Sequence, residues 1–332
     1  MPIEDFITSF PAPLTLGSSI DHWKYEDLTR TLGRVYSGID LAEVLNAPNA
    51  DELLRDLAIT SEHLLTLAAN ENENSLLLVS HRGVIVFRDQ KNLTADQQKF
   101  FTHRLGQLTG KPEESGVHIH PMYVPTIKAM ISQTNNHSNH TIHKEGEKPD
   151  LEMSTIARNP ENMLSKQSGV VAGKKTLKKQ SVADGWHSDI AFERVTSDYT
   201  TLVNKVRPST GGDTVFASAY EVYDRISPPW RAFLETLTGT FSPVGYSPNP
   251  DHTHLYQVAR GHPNNVDQSL TAEHPIVRTN PVTGWKSIFG VGHHLQAVNG
   301  LAPDESEHIK SYLMKLITDN HDLQVRIVRT PT

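Results

Sequence analysis

The sequence predicts a mainly β fold with flanking helices, arranged as a β-sandwich or jelly roll. The predicted strands are short and are separated by Gly and Pro turn signals, which is typical of antiparallel sandwiches and barrels. Only a few helical patterns lie between them, whereas a doubly wound parallel sheet needs a helix after nearly every strand. The 332 residues contain no internal repeat, and we treat residues 1–332 as a single domain.

Two helices are predicted in the N-terminal half. The first covers residues 49–67, where leucines form a broad apolar stripe and Asp51 and Glu52 stand near the start. The second begins after Thr94, which has the spacing of a capping box with Gln97. The residues predicted to line the apolar face of this second helix are Phe100, Phe101, Leu105 and Leu108.

Short strands and two further helices account for most of the remaining pattern. A third helix is predicted from Ser227-Pro228-Pro229, with Gly239 past its end, and a fourth covers residues 303–319. The residues predicted to point inward from the third helix are Phe233, Leu234 and Leu237. The predicted strands lie at 76–79, 83–89, 199–206, 213–217, 254–259, 275–279, 286–291 and 323–327.

Residues 124–185 form the least structured stretch and are rich in Asn, Ser, Lys and Gly. A connection of this length is either functional or disordered. It contains His137, His140 and His143, for which a solvated loop is favoured over a metal site. The lysines at 174–179 are likewise interpreted as a solvated surface rather than a phosphate site.

The composition argues against a secreted, a membrane-spanning and a nucleic-acid-binding protein. The chain has no cysteine, so it contains neither a disulfide nor a thiolate metal ligand, and a cytoplasmic location is the default expectation. The first ten residues are acidic and lack the apolar core of a secretory signal. No apolar run is long enough for a transmembrane helix, and a formal charge of -7 argues against nucleic acid as the main partner.

The most informative motif is His187-Ser188-Asp189, at the predicted end of a strand. Residues i and i+2 of a strand project to the same face, so this imidazole and this carboxylate can converge on one point. They would supply two of the three ligands in the 2-His-1-carboxylate triad that binds Fe(II). Alone, a His-x-Asp motif is common by chance.

Four segments, in this order, make the chain resemble the taurine dioxygenase family of Fe(II)- and 2-oxoglutarate-dependent dioxygenases, especially its fungal sulfonate-dioxygenase branch. They are RGVIVFRDQ with the helix LTADQQKFF, HIHPMY at 118–123, GWHSDIAFE followed by PSTGGDTVFAS, and the stretch at 274–289. The resemblance covers roughly residues 40–330. It implies a double-stranded β-helix, or jelly-roll, core with Fe(II) at one mouth.

The resemblance also assigns roles in metal and cosubstrate binding. By it, His187 and Asp189 are iron ligands, and the hydroxyl of Thr214 binds the carboxylate of 2-oxoglutarate. Taken alone, Thr214 would be assigned to a strand or a turn. Its position in the Gly-Gly-Asp-Thr run, after the His-x-Asp motif, favours the functional role.

The resemblance further implies a substrate pocket. His120 and Tyr123 match the family's sulfonate-binding pair, and an imidazolium and a phenol are suitable donors to a sulfonate oxygen. His294 falls near a position that lines the pocket. Without this context, His120 would be assigned a structural role. A substrate-contacting asparagine of the taurine enzyme is replaced by Ala183 here, which speaks against taurine itself as the substrate.

Two expected site residues do not occur in this sequence. In the family, a second iron histidine and an arginine that binds 2-oxoglutarate follow the strand that matches residues 323–329. The sequence ends at Thr332, and His293, His294 and His321 do not stand in the family's context for that ligand. We therefore expect a truncated form that lacks the C-terminal strands of the jelly roll, in preference to a degenerate relative.

The sequence thus predicts a dioxygenase that hydroxylates a small organic sulfonate next to sulfur, releasing sulfite and an aldehyde, with succinate and CO2 as coproducts. The long 124–185 loop is predicted to be a lid. The expected partners are this small-molecule substrate and dioxygen. No binding to nucleic acid or to a membrane is expected, and the sequence does not decide between a monomer and a homo-oligomer. Two alternatives remain. One is a related dioxygenase acting on a xanthine-like or aryloxyacetate-like substrate, and the other is a catalytically inactive member of the family.

Overall fold

The structure is a computed structural model that describes residues 13–62, 82–121, 150–153, 183–204, 210–243 and 257–327. Within these ranges the chain forms short strands and helices of very different length. The strands are β1 Tyr25–Asp27, β2 Arg34–Tyr36, β3 Ile85–Phe87, β4 Thr214–Ala217, β5 Thr238–Phe241, β6 Ala272–Pro275, β7 Val277–Thr279, β8 Lys286–Ile288, β9 Leu295–Val298 and β10 Gln324–Ile327. The helices are α1 Leu41–Asn46, α2 Ala50–Glu62, α3 Ala95–Leu108, α4 Ala219–Asp224, α5 Pro228–Leu234 and α6 Pro303–Thr318.

The described strands form four small sheets. Three of these sheets have the strand orders β1-β2-β3, β6-β5-β9 and β7-β8. The fourth pairs β10 with β4 in antiparallel register, so that Ile327 lies opposite Thr214. The pairing of β2 with β3 is parallel, and the other pairings among these strands are antiparallel. The last described strand therefore holds the segment that carries Thr214.

The described part is a mixture of helix and strand rather than mainly β. Each strand has only three or four residues, whereas α2, α3 and α6 have 13, 14 and 16 residues. The strand predicted at 199–206 is not formed over residues 199–204. There, the carbonyl of Thr201 accepts a hydrogen bond from Gln98 of α3, and its hydroxyl lies 2.6 Å from that of Thr102. The side chain of Gln98 thus binds the backbone carbonyl that a neighbouring strand would have bound.

Two apolar clusters form most of the core. One surrounds α6 and β5 and includes the fully buried residues Leu234, Phe241 and Leu313. The other lies between α2 and α3 and includes Leu54 and Phe101. Burial of large apolar side chains of this kind is the main stabilising contribution to the fold.

Two aromatic residues predicted to face the core are exposed instead. Phe100 is 52% exposed and Phe233 is 43% exposed, while the next residue in each case, Phe101 or Leu234, is buried. Consecutive residues of a helix are about 100° apart, so only one residue of each pair can face the core.

Gly239 does not follow α5 directly but lies within β5, where an added Cβ would be 2.6 Å from Cδ1 of Leu295.

Several predicted elements are confirmed. The capping box of Thr94 and Gln97 is present at the start of α3, and α6 covers almost the predicted range. The strands predicted at 83–89, 213–217, 286–291 and 323–327 form over part of their predicted length, and the region predicted at 275–279 holds the end of β6 and β7. Residues 76–79 and 254–256 lie outside the described ranges. Within those ranges, no helix is both long and apolar enough to cross a bilayer.

Candidate metal and substrate site

His187 and Asp189 lie next to each other, as their spacing predicts. Nε2 of His187 is 3.2 Å from Oδ1 of Asp189. Residues 186–188, which follow the 3-10 turn Ala183–Gly185, form neither a strand nor a helix, a turn begins at Asp189, and Ile190 has a left-handed φ of 47°. The two side chains therefore come together at the start of a turn rather than at the predicted end of a strand.

The donor atoms of this pair suit a divalent metal ion. Nδ1 of His187 is 2.8 Å from the carbonyl oxygen of Gly185, which fixes a proton on Nδ1 and directs Nε2 towards the position that a metal ion could take. Two atoms that bind one ion at about 2.1 Å and at right angles lie about 3 Å apart. The 3.2 Å separation of Nε2 and Oδ1 agrees with that distance.

Without a metal the two side chains stabilise each other's charge. The hydrogen bond that His187 donates to Asp189 raises the pKa of His187 and lowers the pKa of Asp189. Their side chains are 42% and 58% exposed, respectively. A metal ion that approached from solvent would therefore reach an ionised carboxylate first.

A pair of histidines lies beside His187. The backbone N–H of His293 donates to the carbonyl of Trp186 at 3.3 Å. The ring centroid of His187 is 5.0 Å from that of His293 and 5.9 Å from that of His294. Burial lowers the pKa of His294 to about 4, and the charges of the two neighbouring histidines act in the same direction. Nδ1 of His294 is buried and has no hydrogen-bond partner among the described residues.

His120 belongs to the same cluster. Its ring centroid is 5.9 Å from that of Phe192, and Phe192 is 5.4 Å from the ring of His294. Burial lowers the pKa of His120 to about 4, with the charge of His118 adding to the effect, while Asp189 opposes it. His120 is therefore a neutral imidazole at pH 7 in the ligand-free protein. The expected imidazolium is not present, because desolvation outweighs the attraction of the carboxylate.

Of the remaining predicted site residues, the structure describes Thr214 but not Tyr123. Thr214 is the first residue of β4. Tyr123 lies outside the described residues, as do His137, His140, His143, the lysines at 174–179 and most of the 124–185 loop. Within the described ranges, no group of three or more His, Asp and Glu side chains has the arrangement of a metal site. The structure thus provides two converging donors, and His293 and His294 do not complete a set of three with them.

A buried charged network next to the site was not predicted. Glu193 forms a two-point ion pair with Arg260, with distances of 2.6 and 2.8 Å. Its Oε1 is also 3.0 Å from Nε2 of His118. Arg260 is 67 positions from Glu193 along the chain, and no local pattern links the two. The nearest sequence signal is the run His118-Ile119-His120, whose first histidine has no match to a site residue of the family.

A paired His-x-Asp of this kind occurs in the 2-His-1-carboxylate site of the class of non-haem iron oxygenases. A sequence model of the "Taurine catabolism dioxygenase TauD, TfdA family" matches residues 24–331, and the chain belongs to this family. Members of the family are dioxygenases that depend on Fe(II) and 2-oxoglutarate.

Three fungal relatives match most of the chain. The alpha-ketoglutarate-dependent dioxygenase btcD of Neocamarosporium betae is 38% identical over 95% of this chain and 82% of its own length. The alpha-ketoglutarate-dependent dioxygenase esdpJ of Penicillium shearii is 36% identical over 95% and 81%. The alpha-ketoglutarate-dependent sulfonate dioxygenase of Saccharomyces cerevisiae is 29% identical over 81% of this chain and 55% of its own length.

The fold is shared with solved structures. A taurine dioxygenase from Burkholderia xenovorans superposes with a TM-score of 0.52 at 20% identity, over 92% of this chain and 75% of the other. At that level of identity the likeness concerns the fold. The match of the family model over residues 24–331 confirms the recognition of the family from four sequence segments.

Proposed function

We propose that this chain is an Fe(II)- and 2-oxoglutarate-dependent dioxygenase in which Nε2 of His187 and a carboxylate oxygen of Asp189 bind the iron. The observation that carries the proposal is the 3.2 Å approach of these two atoms, with Nδ1 of His187 tied to the carbonyl of Gly185. Iron with its cosubstrate supplies the oxidising chemistry when bound. The protein contributes the ligand geometry and a pocket in which the substrate is held.

Thr214 has a supporting role in this proposal. It stands at the start of β4, and the pairing of β4 with β10 fixes its backbone. Its hydroxyl would donate to a carboxylate oxygen of 2-oxoglutarate. We further propose that the four small sheets are parts of a double-stranded β-helix in one domain spanning residues 1–332, that the enzyme is cytoplasmic, and that the 124–185 loop acts as a lid.

For the substrate we propose a small organic sulfonate, hydroxylated next to sulfur so that sulfite and an aldehyde are released, with succinate and CO2 as coproducts. The support is His120, a half-buried neutral imidazole beside Asp189 and His294. A neutral imidazole keeps one N–H that can donate to a sulfonate oxygen. Tyr123 would be the second donor, and His294 would line the pocket.

A second substrate class has its own support. The relatives with 36% and 38% identity are named as dioxygenases without a sulfonate in the name, whereas the sulfonate dioxygenase of Saccharomyces cerevisiae is 29% identical. In addition, Ala183 stands where the taurine enzyme has its asparagine. A dioxygenase acting on another small substrate, of the xanthine or aryloxyacetate type, is therefore the alternative.

Anaerobic titration with Fe(II) and 2-oxoglutarate tests the proposed metal site. The parent protein should develop the visible metal-to-ligand absorption band of this chemistry, and D189N and H187A should not. D304N, which changes an exposed aspartate at the start of α6, serves as the matched control and should keep the band. A parent protein that develops no band would favour the catalytically inactive alternative.

A second experiment addresses the substrate. Consumption of 2-oxoglutarate is measured with a small alkanesulfonate, an aryloxyacetate and xanthine as separate additions. Sulfite release with the alkanesulfonate alone supports the sulfonate proposal. H120A should then raise the KM for the sulfonate far more than the KM for 2-oxoglutarate. Stimulation by one of the other two compounds, without any sulfite, would favour the alternative substrate class.

A further inference from the structure

Glu193 and Arg260 form a fully buried ion pair four residues after Asp189. Their side chains are 2% and 1% exposed, and both carboxylate oxygens are bound by the guanidinium. Burial alone would raise the pKa of Glu193, but the hydrogen bonds from Arg260 and His118 outweigh it and hold the pKa below its ordinary value. Glu193 is therefore an ionised carboxylate with a fixed orientation.

The same carboxylate binds His118. Nε2 of His118 lies 3.0 Å from Oε1 of Glu193. An ionised carboxylate can only accept hydrogen bonds, so Nε2 of His118 carries the proton and donates it. We call Arg260, Glu193 and His118 the carboxylate clamp.

The backbone next to Arg260 reinforces this arrangement. Gly116 donates its N–H to the carbonyl of Gly261 at 2.6 Å. Gly261 has a φ of 84°, and an added Cβ would lie 2.8 Å from Cα of His118 and 2.8 Å from the carbonyl oxygen of Val117. The segment that supplies the clamp's arginine therefore also packs directly on the backbone that carries its histidine.

His118 connects the carboxylate clamp to His120. Residues 115–120 have no helical structure, and the rings of His118 and His120 are nearly perpendicular, with centroids 6.0 Å apart. The ring of His120 also contacts Phe192, the residue before Glu193. Phe192 thus contacts His120, and the next residue, Glu193, binds His118.

We propose that the carboxylate clamp positions His120 relative to Asp189, so that Glu193, Arg260 and His118 are positioning residues of the substrate pocket. The proposal rests on the proposed function in one respect, namely that His120 contacts an anionic group of the substrate. An ion pair that served stability alone would need no contact with His118. The clamp instead connects the segment after the metal ligands to the segment that carries His120.

The first test does not depend on activity. The ¹³Cε1–¹H signal of His120 is followed by NMR in the ligand-free parent protein, H118F, H118Q and R260K. H118F removes the donor, while H118Q keeps a donor that can reach Glu193. We expect the His120 signal to shift in H118F and R260K and to stay near the parental position in H118Q. An unchanged signal in folded H118F and folded R260K would overturn the proposal.

The second test separates positioning from general damage. The KM for a small alkanesulfonate should rise about tenfold in H118F, while the KM for 2-oxoglutarate stays within about twofold, and H118Q should restore the sulfonate KM. H308F, which changes an exposed histidine on α6, is the control and should match the parent. Equal rises in both KM values would indicate a purely structural role and contradict positioning.

The two tests also distinguish a failure of the clamp proposal from a failure of the proposed function. If the parent protein does not respond to alkanesulfonates, the substrate part of the proposed function fails. The NMR comparison of H118F with H118Q then still decides whether the clamp positions His120.

Discussion

Gly292 packs directly on the carbonyl group of Trp186, the residue before His187. A Cβ at position 292 would lie 1.9 Å from that carbonyl oxygen, and the φ of Gly292 is 132°. The N–H of His293 donates to the same oxygen at 3.3 Å. Because only glycine has neither a Cβ nor a penalty at this φ, the sequence Gly-His-His can lie against the segment that carries the His-x-Asp pair.

The first prediction concerns this close approach. G292A should lower the free energy of unfolding by about 3–5 kcal/mol, because the strained φ and the collision with Trp186 add together. It should also weaken metal binding, since the backbone on either side of His187 must move. Chemical denaturation and a Mn(II) titration measure the two effects.

G300A is the matched control for this substitution. Gly300 also has a positive φ, of 77°, but an added Cβ there would have nothing within 4 Å. G300A should lower the free energy of unfolding by only about 1–2 kcal/mol. Its affinity for the metal ion should equal that of the parent protein. Equal effects of G292A and G300A would show that the contact with Trp186 is unimportant.

The buried ion pair gives the second prediction. R260M should lower the free energy of unfolding by about 3–5 kcal/mol, because it leaves the buried carboxylate of Glu193 without its charged partner. K286M removes a pair with Glu235 of similar length, 2.7 Å, but with side chains 43% and 32% exposed, and should cost less than about 1 kcal/mol. Urea unfolding of both variants measures the difference. Similar losses in the two would contradict the role of burial.

The third prediction is a pH dependence of stability. His274 is buried and donates from Nε2 to the carbonyl of Glu193 at 2.9 Å, and burial lowers its pKa to about 4. The unfolded chain binds this proton below about pH 6.5, and the folded chain does so only below about pH 4. The corresponding stability is complete above about pH 6.5 and is lost as the pH falls towards 4, by about 1.4 kcal/mol per pH unit.

His120 and His294, with pKa values also of about 4, should contribute to the same slope. The variant H274N should therefore show a shallower dependence of its unfolding free energy on pH between 6.5 and 4, as measured by denaturant unfolding at several pH values. An unchanged slope in H274N would show that His274 is not buried in its neutral form.

The fourth prediction tests the capping box of α3. T94A should destabilise the protein by about 1 kcal/mol, because the Thr94 hydroxyl accepts from the N–H of Gln97 at 3.2 Å. Ser227 stands at the start of α5 but makes no side-chain capping bond, so S227A should change the stability by much less. Thermal unfolding of both variants measures the difference, and a larger loss in S227A would contradict the assignment.

Local sequence patterns predicted the elements whose signals are local. The starts of α2 and α3 and the extent of α6 follow from capping residues and apolar periodicity within a few turns. The approach of His187 and Asp189 was also predicted from their spacing, although no strand forms there and a turn begins at Asp189. The site role of His120 came from resemblance, while its neutral state came from burial in a cluster that no local pattern reveals.

The sequence by itself determined the family, the His-x-Asp pair and the main helices, since each depends on residues that are close along the chain or in a fixed order. Only the tertiary structure decided that β10 pairs with β4, that Thr201 binds α3 instead of a strand, and that Arg260 reaches Glu193. These contacts join segments tens of residues apart, and their free energy depends on burial and on mutual distance. Neither quantity is encoded in the local order of residue types.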